Sequence, residues 1–530
     1  MKKSKEILAS FEVRMGLCGK AERRWFWAAF TLLLIYVECV ILGQNIASGY
    51  ADSPLLNVLL AVLAVLICFL GLLAVSRSKI GGNEGRAKDR AGLRKRLFFF
   101  AAVWAMTFFL FFLCQIANWP GFFAPDNIVQ YDQMYRGVYN NWHPVLHTWL
   151  FYCLPFQFFH RPAGIILTQI LWFSLAVAYL FYVLYTSGCP KAFLICGWLY
   201  ITANSITLNI MLCPLKDSAL TIFSAVMFAQ LVRIYLTEGT WLKKWYNFAA
   251  FSIIAFLAAE MRHNAVLLVA PIFIILFFFF KSTRKRVILS ALLVICANLL
   301  LKGPIFSLAH VTLPNYRTVE TMGLPMTILS DIYVQDRDAL SEEARTLMDS
   351  FIAQENWSNY TLGSFNSIKW KGDRNSIEEA GYKKLLQYTF DAANARPKLA
   401  WRAFCLLTRQ VWEFDGENGW NVPHNIADNS YGINYHGDVR LQAAFSAYTT
   451  LASTYATKYL FRYPGIVNLI LLFLAVGKLS GKNLACAFLV LAPMAYNFGT
   501  MLLLSGADYN FFHFNFVIVV PLVYLMLQKR

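Results

Sequence analysis

The chain has 530 residues, of which 58% are hydrophobic and 15% charged, and it carries a formal net charge of +17. So little charge, combined with repeated apolar runs of spanning length, excludes a soluble globular enzyme and a disordered or fibrous chain. Its Lys and Arg crowd beside the apolar runs without interleaved aromatics, so the positive balance reads as a membrane-topology signal and no nucleic-acid partner is expected.

A membrane span needs about 20 mostly apolar residues, and about twelve such segments are predicted. In chain order they centre near Leu33, Ala64, Thr107, Ser174, Thr202, Phe223, Ile254, Phe273, Val294, Ile470, Val490 and Val519. Their connections are shortest around Pro190, Pro214 and Arg262. Lys and Arg in short loops are retained on the cytoplasmic side. With the N-terminus inside, "MKKSKEILASFEVRMGLCGKAERR", "SRSKIGGNEGRAKDRAGLRKR", "WLKKW", "KSTRKR", "KLSGK" and the terminal "QKR" all fall inside as well. The expected fold is an α-helical polytopic bundle in the plasma membrane, multi-pass, with both termini cytoplasmic. The first span lacks a small-residue cleavage site and reads as an anchor.

The predicted organisation is a basic cytoplasmic N-terminus over 1–24, transmembrane helices one to three over 25–116, an extracytoplasmic loop with interfacial helices over 117–162, helices four to nine over 163–304, a mostly helical extracytoplasmic domain over 305–458, and helices ten to twelve over 459–530. The eleven Cys are scattered, mostly singly, and form no CxxC pair and no Cys/His set with zinc spacing.

The loop opens on "PGFFAPDNIVQYDQ". Asn127 with Gln130 three residues on reads as a capping box, which predicts a short helix from Ile128 onward. Asp126 then sits at a helix N-terminus, where a carboxylate is stabilised by free N–H groups. The same position, flanked by Pro120 and Pro125, suits a general base; Asp132, nearly two turns on, is the reserve. In "NNWHPVLHTWL", His143 and His147 are four apart, a spacing compatible with two metal ligands on one helix face. Pro144 between them points instead to a helix start with His143 at the cap, and substrate hydrogen bonding is the favoured role.

Between 305 and 458, "LSEEARTLMDSFIAQ" and "SIEEAGYKKLLQYTFDAANARPKLAWRAFCLLTRQVW" carry helical spacing, and the Gly/Asn/Asp-rich stretches between and after them read as loops. Three polar clusters at span ends are predicted to reach the same side as the Asp126 loop: Lys216 and Asp217 in "CPLKDSAL", Glu260, Arg262, His263 and Asn264 in "AAEMRHNAVLL", and Asp508, Tyr509 and His513 in "SGADYNFFHFN". Charge at a span end is costly unless it snorkels, pairs or lines a wet cavity. Lys216 and Arg262 suit a phosphate, one as a point charge and the other as a planar fork.

An acidic outer loop after an early span, with basic residues at later span ends, resembles the GT-C class of membrane glycosyltransferases, which includes protein O-mannosyltransferases, aminoarabinose transferases and oligosaccharyltransferases. More closely, "WPGFFAPDNIVQYDQ", "WHPVLHT", "LKDSA", "RHNAV" and "LPMTILSDIYVQD…LSEEARTLMDSFI…NY…FNSIKWK" look like a family of bacterial multispanning membrane proteins linked to that class. The resemblance covers most of the chain from Phe98 onward. It implies a transferase of the cell envelope that moves a sugar from a polyprenyl-phosphate donor to a glycan, lipid or protein acceptor among the membrane lipids. Asp126 would be the base, with Lys216 and Arg262 on the lipid phosphate. Asp126 with Asp217 or Asp508 could hold Mg²⁺ or Mn²⁺, although several enzymes of the class need no metal. Trp357, Trp370 and Trp412 are available to stack on sugar rings or to fill a core. Two departures stand out: "DYNFFHFN" replaces an Arg-Tyr step before the last span, leaving His513 as its nearest cation, and two spans precede the one ahead of the loop. A secondary transporter and a non-catalytic scaffold are the competing readings.

Overall fold

The computed structural model describes residues 10, 12–13, 19–48, 58–59, 62–63, 65–66, 92–414, 425–454, 457–479, 484–506 and 508–528. Among these the chain is helical, with isolated bridges and no strand. The elements that place the site are α1 (Lys20–Ser48), α2 (Leu93–Ala117), α3 (Pro125–Arg136), α4 (Val145–Phe159), α5 (Pro162–Thr186), α6 (Lys191–Thr202), α7 (Ser205–Met211), α8 (Lys216–Leu236), α9 (Trp245–Glu260), α10 (Val266–Phe279) and α11 (Lys281–Leu308). They continue through α12 (Arg317–Thr321), α13 (Gly323–Gln335), α14 (Glu342–Phe351), α15 (Asn366–Lys369), α16 (Arg374–Ala395), α17 (Pro397–Thr408), α18 (Val439–Thr454), α19 (Pro464–Lys478), α20 (Leu484–Leu503) and α21 (Tyr509–Leu527).

Among the described residues seven helices are long and apolar enough to cross a membrane, so the chain is an α-helical membrane protein. The expected span near Ala64 lies largely outside the described residues. The one near Thr202 is no straight rod: α6 and α7 meet at a 57° bend. Asn204 causes the break, because its side chain caps α7 by accepting from the N–H groups of Ile206 (2.9 Å) and Thr207 (3.2 Å). The segments near Ile254, Phe273 and Ile470 form α9, α10 and α19, apolar helices of 16, 14 and 15 residues.

Helices α5 and α8 form the centre of the bundle and are buried on most faces, which fits sequences apolar all round. Helices α2 and α11 lie at the rim with exposed Phe98, Phe109, Leu292 and Leu299. Lipid tails are as apolar as Leu, so polar side chains and tight packing hold such helices together. Asn497 supplies one bolt: its amide donates to Asn468 (2.9 Å) and Asn515 (3.0 Å), and Asn515 returns a bond (3.0 Å), joining α19, α20 and α21.

Helices α12 to α17 surround a second core built on Val319, Met326, Leu329, Met348, Phe351, Phe365, Ile377 and Leu385. Ser341 caps α14 by accepting from the Ala344 N–H at 3.2 Å, as the acidic and Ser-rich start of that stretch predicts. This domain is seated on the bundle without room for a side chain: a Cβ on Gly323 would lie 2.1 Å from the Leu504 carbonyl oxygen. The Asn366 N–H adds a bond to the Ser505 carbonyl at 2.7 Å. Farther on, the Phe123 N–H donates to the Asn425 carbonyl, the Ala427 N–H donates to the Phe123 carbonyl, and α18 packs on α2, so 425–454 runs back along the bundle.

Candidate functional site

The site begins with how α3 is fixed. Its N-cap is Ala124 and Pro125 occupies the first turn, three residues before the predicted start at Ile128. Proline wins that position because its fixed φ suits a helix start and it lacks an N–H to satisfy. Asn127 is therefore not the cap. Its Oδ1 accepts from the Ala124 N–H (2.9 Å), and its amide donates to Tyr152 Oη and the Pro214 carbonyl, both at 3.0 Å. Gln130 donates to His147 Nδ1 and Thr148 Oγ1, each at 2.9 Å. Asn127 thus serves the cap of α3 from its third position, Gln130 takes no part in the cap, and both side chains are bolts that lock α3 against α4 and the turn before α8. On the opposite side, Asp126 faces open space.

That carboxylate meets the first residue of α8. Lys216 Nζ lies 3.4 Å from Asp126 Oδ2 and 3.1 Å from His143 Nδ1, and His143 Nδ1 is 4.0 Å from the same carboxylate oxygen. The Asp126 side chain is 56% exposed, whereas His143 beneath it is 1% exposed. Burial among the surrounding walls pushes the Asp126 carboxyl up, but Lys216 and then His143 outweigh it and hold it down at about 2. Burial, reinforced by Lys216, holds the His143 imidazole down at about 3, so it is neutral and can accept from the ammonium.

The turn between α9 and α10 contributes the second cation. Arg262 is ion-paired with Asp217 in the first turn of α8, and both are buried. Its Nε donates to Asn264 Oδ1 at 3.2 Å, its guanidinium lies 4.0 Å over the Phe511 ring, and Asn264 is held in turn by Thr500 Oγ1 at 2.6 Å. Three fixed contacts thus orient one fork. His263 Nε2 lies 3.1 Å from the Asn141 carbonyl and 3.2 Å from that of Trp142, tying this turn to the α3–α4 loop. Glu260 turns away to Lys302 and Asn298 on α11.

Asp126, Lys216, Arg262, His263, Asn264 and Asp508 line one cavity of about 600 Å³. Asp508 has no salt-bridge partner among the described residues, and burial raises its carboxyl above the ordinary value. The predicted Asp217, His143 and His147 stand behind the lining: Asp217 secures Arg262, His143 underlies Lys216, and His147 is buried beside Gln130 and Phe151. His143 and His147 do not form a metal pair, because the helix starts after Pro144 and only His147 belongs to it. Two predicted residues leave the site. His513 is buried between Thr207 Oγ1 (2.9 Å) and Thr221 Oγ1 (3.1 Å), where it braces α7 against α8. Asp132 is paired with Arg136 at 2.7 Å and with the Tyr431 hydroxyl.

The far wall of the cavity comes from the domain α12–α17 and the α3–α4 loop: Trp142, Tyr316, Glu320, Lys369 and Trp370. Lys369 pairs with Glu320 at 2.8 Å and donates to Ser505 Oγ at 3.3 Å. Sequence reasoning passed over Lys369, although it lies inside the quoted stretch "FNSIKWK"; one Lys in a soluble-looking helix carries no mark of the cavity it faces. As for a metal, Asp126 already confronts Lys216, and Asp217 is closed off by Arg262. Of the three carboxylates considered for a cation, that leaves Asp508 without a salt-bridge partner, and no cluster of three or more His, Cys, Asp or Glu that could hold a metal occurs among the described residues. No protein-family model, no curated protein and no solved structure matches this chain.

Proposed function

We propose that the protein is a membrane glycosyltransferase of GT-C type that transfers a sugar from a polyprenyl-phosphate donor to an acceptor hydroxyl outside the cytoplasm. The observation that carries this reading is the meeting of Asp126, Lys216 and Arg262, three separate parts of the chain, on one cavity at the end of an apolar bundle. A scaffold whose Asp126 served only as a helix residue needs no such meeting. A carrier of about twelve spans would set its charges near mid-membrane, whereas these stand at helix ends and turns.

In this mechanism Lys216 and Arg262 bind the donor phosphate, so Lys216 gives up Asp126 for the more strongly charged partner. Asp126 is thereby released from the cation that depresses its basicity. The acceptor oxygen attacks the anomeric carbon with inversion as the bond to the phosphate oxygen breaks. The acceptor proton passes to Asp126, and the bonding electron pair leaves on the lipid phosphate, held by the two cations. The topology belonging to this reading has about twelve spans, both termini cytoplasmic and the site on the outer face of the plasma membrane of a bacterial envelope.

The test is transfer of labelled sugar from polyprenyl phosphate by purified protein, with Asp126→Asn beside wild type and lipid binding measured separately. A folded, lipid-binding Asn variant with undiminished turnover removes Asp126 from the mechanism. Impermeant thiol labelling of cysteines introduced in 120–133 tests the orientation, and exposure to the cytosol ends the proposal.

A further inference from the structure

The wall facing the catalytic cluster is unusual for the mouth of a charged cavity. Trp370 is 56% exposed, and its ring centroid is 5.6 Å from that of Trp142 at 59°. Arg374 is sandwiched, 3.9 Å from the Tyr316 ring and 4.7 Å from the Trp370 ring, and Lys369 Nζ lies 4.9 Å from the Trp370 ring. The other two tryptophans considered for sugar stacking are core: Trp357 is 6% exposed and lies tilted against Tyr333 with ring centroids 4.4 Å apart, and Trp412 is 7% exposed and bonded to Thr408. Only Trp370 of the three opens onto the cavity.

From this wall we infer that the acceptor is a carbohydrate, seated with a ring face against Trp370 and Trp142 and its hydroxyls toward Asn141, Glu320 and Arg317. The inference rests on the transferase reading and names the substrate class of the same site. A pyranose has an apolar C–H face and a polar rim. It therefore suits a surface in which braced aromatic rings alternate with amide, carboxylate and guanidinium groups. A lipid tail needs an apolar trough, and a polar cavity edge penalises it. An extended peptide recognised through its backbone needs an open strand edge, and the described residues contain no strand. The sandwich of Arg374 fixes Trp370 before any ligand arrives, which lowers the ordering cost of binding.

The experiment is equilibrium binding without donor, by calorimetry and saturation-transfer NMR on the full-length protein in detergent. The probes are malto-, cello- and chito-hexaose and a Ser/Thr-rich peptide. Saturable binding of at least one saccharide is expected, weakened about tenfold or more in Trp370→Ala and within about threefold of wild type in Trp370→Phe. The inference is overturned if no saccharide binds wild-type protein at millimolar concentration, or if a folded Trp370→Ala variant, checked by its thermal unfolding, binds unchanged. Run beside it with labelled polyprenyl-phosphate sugar, the transfer assay separates the two readings: saccharide binding without any transfer would sink the catalytic reading and leave the platform, and transfer to the peptide with no saccharide binding would do the reverse.

Discussion

The two walls of the cavity are built on different principles. On the bundle side the charge is set on braced elements: the helix that carries Asp126 is bolted through Asn127 and Gln130, and Arg262 is held by Asp217, Asn264 and Phe511. On the domain side the cavity is faced by rings and by Lys369, which is held through Glu320 and Ser505. A wall that fixes charge to within a hydrogen bond suits the reacting atoms, and a wall of aromatic faces suits recognition. The difference predicts a split in kinetics. Asp126→Asn should lower kcat by about 10²–10⁴ with substrate binding retained, because only the proton acceptor is lost. If kcat is unchanged while KM rises, Asp126 belongs functionally to the recognition wall.

Breaking the bundle wall should also cost the fold. Asp217→Asn leaves the buried Arg262 without its counter-charge, a change that costs about 3–5 kcal/mol. The expected result is a large drop in the thermal midpoint of the detergent-solubilised protein. Lys369→Met on the other wall removes a cation that is itself buried, but its partner Glu320 is 30% exposed and stays within reach of water, so a smaller drop than in Asp217→Asn is expected.

A third contrast is set by pH. His143 is neutral in the fold, with its imidazole held near 3 against an ordinary value of 6.5. As pH falls below 6.5 the unfolded chain takes up a proton that the folded site refuses, so stability is lost progressively from 6.5 down toward 3. The loss is about 1.4 kcal/mol per pH unit for such a group. Asp126 adds a loss of the same sign only at lower pH, as it falls below 3.8 toward about 2. Thermal unfolding followed from pH 7 to pH 4 should show the decline in wild type and a flatter profile in His143→Asn. His263, held down at about 4 chiefly by burial, adds a decline of the same sign to both proteins, so the difference in slope is what reports on His143, and equal slopes would mean that His143 does not resist protonation.

Smaller still is the expected effect of Lys369→Met on turnover: about a tenfold rise in the acceptor concentration needed, with kcat unchanged. Lys369 holds Glu320, one of the groups facing the acceptor, so its loss loosens binding and takes nothing from the chemistry.

Much of the bundle wall was legible in the sequence because charge inside an apolar run is conspicuous: Lys216, Arg262 and Asp508 stand out where nearly every neighbour is apolar. The domain wall was hidden, since Lys369, Glu320 and Trp142 sit in polar surroundings where such residues are ordinary. Periodicity located α8 and α21 but not the bend between α6 and α7, which depends on the single cap at Asn204. The capping register of α3 was misplaced for a related reason. Local propensity favoured Asn127 as the cap, but a tertiary contact, the bond from its amide to Tyr152, drew that side chain inward. His513 looked like a displaced cation and is a brace, because hydroxyls on α7 and α8 meet both its ring nitrogens.

The finest test of the comparison lies within α3 itself, which carries two aspartates six positions apart. Asp126 faces Lys216 across the cavity, whereas Asp132 points to the strap after 425, where it pairs with Arg136 one turn on and with Tyr431. The Arg136 side chain is 68% exposed, so the pair is a surface one, worth about 0–1 kcal/mol. Asp132→Asn keeps an acceptor for the Tyr431 hydroxyl and removes only that charge. Turnover in Asp132→Asn should therefore match wild type within about twofold, and the thermal midpoint should barely move. A loss of turnover in Asp132→Asn comparable with that in Asp126→Asn would mean that the reacting hydroxyl is served from the strap side of α3, and the cavity between the two walls would lose its claim to the chemistry.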